Sequence, residues 1–205
     1  MIVAHWKCND NAASTTVVDS VGSANGVYTD NATPVNTSTG TVASKAGVGT
    51  ALDLDTNEWI NVGNAAVSVR SISMWINPDA VNVTGHLIDL DGTNYVKQTN
   101  ATLSVGGFAG STKVIYVDGA VGATITANWH HVVVTATAAF TASDLDIGRL
   151  EGSEYFNGLI DNVMLFDTTL NIDQVKALYS AGHGTEIAAD TDESRRIKRR
   201  PIWQL

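Results

Sequence analysis

The sequence is short of cysteine, of charge and of long apolar runs, and each shortage excludes something. Cys8 is the only cysteine among 205 residues, so no intrachain disulfide forms and stability must come from packing. Cys8 itself is expected as a small buried apolar residue. Charged residues make up 16% of the chain against 44% hydrophobic, which excludes a disordered polymer and suits many short strands joined by small polar turns. No apolar stretch approaches the roughly 20 residues that span a bilayer, so no membrane span is expected. The opening Met1-Ile2-Val3-Ala4-His5-Trp6 has no basic region, long apolar run or cleavage site, so no signal peptide is expected either.

Positive charge is scarce and unevenly placed. Residues 1–182 hold 7 Lys/Arg against 17 Asp/Glu, a balance of −10, whereas residues 183–205 hold 5 against 4. An acidic body repels phosphate backbones, so it is not expected to bind nucleic acid; divalent cations are the more natural partner.

What is present is a series of short apolar alternations separated by Gly, Asn, Asp and Thr, the pattern of an all-β sandwich in one domain. Strands are predicted at 2–6, 71–76, 87–90, 95–98, 102–105, 113–117, 145–147 and 158–166, with residues 51–54 and 59–62 read as a hairpin. Asp91-Gly92 and Asp118-Gly119 are expected hairpin turns, and residues 9–50 read mostly as loops. Residues 129–137 are apolar on both faces, as in a central strand covered from both sides. Asn171 followed by Gln174 forms a capping pattern, and Ile172, Val175, Leu178 and Tyr179 recur at helical spacing, predicting one short helix.

Several blocks, in order, resemble the laminin-G-like family of the concanavalin A-like lectin/glucanase superfamily. These are Ala4-His5-Trp6-Lys7; Val17-Val18-Asp19-Ser20-Val21-Gly22 with Asn25-Gly26; Gly49 to Asp55; Ile72 to Pro78; Trp129 to Thr135; and Phe156 to Val163. The resemblance implies a two-sheet antiparallel jelly-roll sandwich over residues 1–182, with one short C-terminal helix and an extended tail at 183–205. It also implies a structural calcium ion, with Asp19, Asn25 and Asp161 as candidate ligands, since calcium takes six to eight oxygens, many from loops. The residues alone leave a second reading open, in which Asp19 caps its own turn and Asp161 accepts backbone N–H bonds. Alternation along 158–166 gives Asp161 the same face as Leu159, Val163 and Leu165.

Asp53, Asp55 and Glu58 form a D-x-D-x-x-E pattern that resembles the catalytic E-x-D-x-x-E of laminarinase-type glucanases. The first position is Asp, however, and Glu58-Trp59 reads as a turn, so no catalytic residue is assigned and a non-enzyme is expected. His130 and His131 point to opposite faces of a strand and do not share a metal. Exposed aromatics beside polar groups serve sugar binding, and Trp59 and Tyr155, both read in turns, are the candidate glycan contacts.

The last segment differs from the body. Acidic residues 186–193 precede Arg195, Arg196, Lys198, Arg199 and Arg200, then Ile202, Trp203 and Leu205. Such a strip either docks into an acidic partner or folds back on its own body. The expected function is a non-catalytic binding or display module on a virion surface or outside a cell, with a glycan as ligand. The first alternative is a carbohydrate-binding or adhesion module of a secreted bacterial protein, and a glycoside hydrolase ranks behind it.

Overall fold

The computed structural model describes residues 1–44, 49–65 and 68–180. In chain order the strands are β1 (Ile2–Trp6), β2 (Thr16–Val17), β3 (Gly26–Asp30), β4 (Thr33–Pro34), β5 (Thr41–Ala43), β6 (Thr50–Leu54), β7 (Glu58–Gly63) and β8 (Ser68–Pro78). There follow β9 (Thr84–Asp89), β10 (Tyr95–Thr99), β11 (Thr102–Gly106), β12 (Lys113–Val117), β13 (Ala120–Val121), β14 (His130–Thr141), β15 (Leu145–Ile147) and β16 (Gly158–Phe166). A single helical turn, α1 (Thr37–Gly40), lies between β4 and β5, and α2 (Ile172–Tyr179) follows β16. No helix among the described residues is long and apolar enough to cross a membrane.

The strands form two eight-stranded antiparallel sheets. The first runs β13-β12-β14-β8-β16-β6-β5, with β1 beside β16; the second runs β11-β10-β9-β15-β7-β3-β2, with β4 beside β3. The chain crosses between sheets repeatedly, so the core is closed by residues distant in sequence, among them Trp6, Tyr28, Ile60, Ile88, Phe108, Phe156 and Ile160. Cys8 is buried in this core as expected, and burial, helped by the Asp161 and Asp10 carboxylates, pushes its thiol up.

The two apolar faces of β14 have separate uses. Val132 and Val134 enter the main core, whereas Val133 joins Met164, Phe166, Leu170, Val175 and Leu178 under α2. Helix α2 starts where the capping pattern predicts: Asn171 accepts from Gln174 N and Gln174 reaches back to Asn171 N, both at 3.0 Å.

Three expectations are corrected. Residues 51–54 and 59–62 are not a hairpin, because β6 belongs to the first sheet and β7 to the second. Glu58 closes an arch between them: its Oε2 accepts from Asp55 N at 2.9 Å and from the Tyr28 hydroxyl at 2.8 Å. Glu58 and Trp59 lie in β7, not in a turn; the turn is Asp55–Asn57, where Asn57 takes a φ of 72°. Along β16, pairing steps from Asp161 opposite Trp75 to Met164 opposite Ser73, a bulge at Asn162 with φ 55°. The extra residue turns Val163 and Leu165 into the core and leaves Asp161 on the outer face with Trp75.

Candidate functional site

The outer face of the second sheet gathers several buried polar side chains, among them His86, Asp89 and Asp146. Inward-pointing Ile60, Ile147, Ile88 and Val96 fix the opposite facing of their neighbours by alternation. Tyr95 lies opposite Asp89, Asp89 opposite Asp146, and Asp146 opposite Asn61, giving one row across four strands. Trp59 lies two residues from Asn61 on the same face of β7.

Asp89 and Asp146 are both buried, and like charges placed opposite one another repel. Each carboxylate therefore needs its own partner. Asp89 bonds back to its turn, accepting from Gly92 N at 2.9 and 3.0 Å and from Asp91 N at 3.2 Å. Burial still dominates and raises its carboxyl to about 6. Asp146 accepts from Arg149 Nε at 2.6 Å; burial raises its carboxyl too, and the guanidinium opposes that rise. Among the described residues Asp146 Oδ1 has no hydrogen-bond partner.

Arg149 reaches this face because the chain reverses at Gly148, where φ is 94°. That φ is strained for any residue with a β-carbon, which would also come within 2.5 Å of Leu54 Cδ1, so the position favours glycine. The reversal lays the Arg149 guanidinium 3.7 Å from the centre of the Trp59 ring. Loop 148–157 is fastened by mutual Leu150–Ser153 bonds, by Phe156 N to Gly148 O and by His86 N to Glu154 O. Phe156 is buried in the core, and the loop sets Tyr155 against Trp59, ring centres 6.0 Å apart at 51°.

The structure thus brings the two sequence-predicted glycan contacts together. Trp59 is 4% exposed, one face covered by Arg149, and its indole N–H has no acceptor among the described residues. Tyr155 is half-buried at the rim. Beside them His86 is buried edge-on to Tyr95 at 4.6 Å. Its Nδ1 stands 3.1 Å from Glu154 Oε2, an ion-pair contact, and among the described residues neither ring nitrogen has a hydrogen-bond partner. Burial lowers its pKa.

The calcium candidates sit elsewhere. Asp19 Oδ1 accepts from His5 N (2.9 Å), Val21 N (3.1 Å) and Gly22 N (3.0 Å), and Oδ2 accepts from Ala24 N (3.1 Å). Asn25 Oδ1 accepts from Asp19 N at 2.9 Å. Asp161 accepts from the Ser44 hydroxyl. Both Asp19 oxygens and the Asn25 oxygen accept from N–H groups, so this donor set closes the loop with its own side chains. Among the described residues, no group of three or more His, Cys, Asp or Glu side chains is arranged to hold a metal.

Of the glucanase-like triplet, Glu58 is the arch closure already described, and Asp53 has its carboxyl raised by burial and by Asp79, Asp55 and Glu58 nearby. His130 and His131 face opposite ways: His130 Nδ1 lies 2.7 Å from Asp118 Oδ2, whereas His131 is buried with Nε2 2.9 Å from Ser73 Oγ. The basic-segment candidates Arg195, Arg196, Lys198, Arg199, Arg200, Ile202, Trp203 and Leu205 lie outside the described residues.

Sequence reasoning missed Asp146, Arg149, Asp89 and His86. The available signals were the acidic residues between two core positions in Leu145-Asp146-Ile147 and Ile88-Asp89-Leu90, the first with a cation three residues on.

No protein-family model matches the sequence, and a search of curated proteins gave no match. The fold, however, has solved counterparts. Domain 4 of AbnA, a GH43 extracellular arabinanase from Geobacillus stearothermophilus, solved in complex with arabinotriose, superposes with a TM-score of 0.58 at 19% identity. The match covers 86% of this chain and 97% of that one. Trypanosoma rangeli sialidase gives 0.54 at 12% identity, over 90% of this chain and 34% of the sialidase, so the chain spans about a third of that enzyme. At these identities the likeness shows a shared β-sandwich.

Proposed function

We propose that the chain is a non-catalytic carbohydrate-binding module, laminin-G-like in kind, that takes its glycan on the outer face of the second sheet around Trp59, Tyr155, Asp146 and Arg149. One observation carries this reading: an aromatic pair stands with a buried donor, Trp59 Nε1, and a buried acceptor, Asp146 Oδ1, both without partners among the described residues. Buried polar groups are nearly always satisfied, and those left open beside aromatic rings fit a ligand that is apolar on its ring faces and hydroxylated at its rim. The arabinotriose bound to AbnA domain 4 supports the reading as a use to which such a sandwich is put. Arg149, stacked on Trp59 and tied to Asp146, is part of the face that meets the glycan.

Display on a virion or outside a cell belongs to the same proposal, with the basic segment from Arg195 to Leu205 as its attachment. A chain shortened at residue 182 then fails to co-purify with the particle; unchanged occupancy contradicts the attachment.

The binding reading is tested by screening the full chain against a glycan array and titrating the hits into wild type, Tyr155→Ala and Asp146→Asn. At least tenfold weaker binding by both folded variants is expected. An array without hits, or hits indifferent to both substitutions, overturns it.

A further inference from the structure

We infer that the glycan bound on this face is a neutral oligosaccharide read through two hydroxyls of one sugar, and that acidic sugars are rejected. The inference rests on the binding reading above and sharpens it.

The two open atoms differ in kind. Asp146 Oδ1 can only accept and Trp59 Nε1–H can only donate, and each belongs to a residue 4% exposed. Arg149 joins them, stacked on the indole and donating through Nε to the other Asp146 oxygen. An acceptor and a donor linked through one side chain match two hydroxyls of one sugar, since each hydroxyl both gives and receives a hydrogen bond. An ionised sugar carboxylate has no hydrogen to give Asp146.

Charge acts in the same direction. Glu151 bears on both Asp89 and Asp146, joined by Asp91 at the first and Asp144 at the second. The Glu151 carboxylate also overhangs Gly92, within 2.4 Å of where a β-carbon would stand, and Glu154 stands beside His86. Against these carboxylates the face sets Arg149, already committed to Asp146, and Lys97, 5.8 Å from the centre of the Tyr95 ring. A face of that sign repels an anionic ligand, the more so at low ionic strength.

The test titrates the full chain with matched probes: tetragalactose against tetragalacturonate, and lactose against 3′-sialyllactose, alongside an array carrying both classes. Expected is at least tenfold weaker binding of the acidic member at about 20 mM salt, with the gap narrowing at about 500 mM. The exposed double variant Glu151→Gln/Glu154→Gln should raise acidic-member affinity at least threefold relative to the neutral one. Acidic glycans that bind as tightly as neutral ones through a Tyr155-dependent site overturn the inference and leave the binding reading standing. So does a double variant that keeps the wild-type ratio. Silence of both classes overturns inference and reading together.

Discussion

The guanidinium of Arg149 lies 3.7 Å above the ring of Trp59 while its Nε holds Asp146 at 2.6 Å. One side chain thus covers the aromatic wall and neutralises the buried carboxylate beside it, so its removal has two separable effects. Arg149→Ala strands a buried charge, and stability at pH 7 is expected to fall by about 3 kcal/mol in urea unfolding. The loss shrinks towards pH 5, because Asp146 without its cation protonates more readily. It also uncovers the indole, so acrylamide quenching of tryptophan emission increases.

Tyr155→Ala separates binding from folding. The ring is half-buried and its contact with Trp59 is worth about 1 kcal/mol, so the melting temperature falls by only a few degrees. Calorimetric titration should then show glycan affinity reduced at least tenfold.

Asp19 holds its loop with four accepted N–H bonds. Asp19→Ala leaves those donors unpaired, and a loss of at least about 3 kcal/mol is expected. Asp19→Asn keeps one acceptor oxygen and loses less. Because the carboxylate is engaged by the chain itself, calcium or a chelator should leave the wild-type melting temperature within about 1 °C; a clear rise with calcium contradicts the loop-closure account.

Two buried groups give opposite pH dependences. His131 is lowered from 6.5 to about 4 by burial, so its contribution is present above pH 6.5 and lost as pH falls towards 4, about 3 kcal/mol in all. Asp89 is raised from 3.8 to about 6, so its neutral form favours the fold below pH 4, and that advantage is lost as pH rises through 6. Unfolding free energies from pH 4 to 8 should show His131→Gln flattening the acid-side loss. The stability of Asp89→Asn relative to wild type should rise with pH over the same window.

Local pattern made much of the sandwich legible. The limits of β1, β12, β15 and β16, the Asp118-Gly119 turn and the capped α2 follow from alternation, turn chemistry and helical spacing, all of which act over a few residues. Which sheet a strand joins does not. Residues 51–54 and 59–62 alternate as well in an arch as in a hairpin, and what separates the two is Glu58 meeting Tyr28, 30 residues away. The Asn162 bulge is invisible for a related reason: period-two counting assumes an unbroken ladder. Trp59 and Tyr155 were legible as candidates from residue type alone. Their meeting depends on the reversal at Gly148, and the polar row beside them on pairing among four strands, neither of which a linear pattern encodes.

The central claim is that a glycan engages the second sheet's outer face at Trp59, and the indole N–H resonances of the tryptophans report on it most directly. Trp6 Nε1 donates to Ala24 O at 2.8 Å inside the core and serves as the internal reference, whereas Trp59 Nε1 has no acceptor among the described residues. In a titration with an array-positive neutral oligosaccharide, the Trp59 indole peak, assigned through Trp59→Phe, should move in a saturable manner while the Trp6 peak stays in place. A Trp59 peak that stays fixed while the glycan binds and moves resonances on the first sheet contradicts the account.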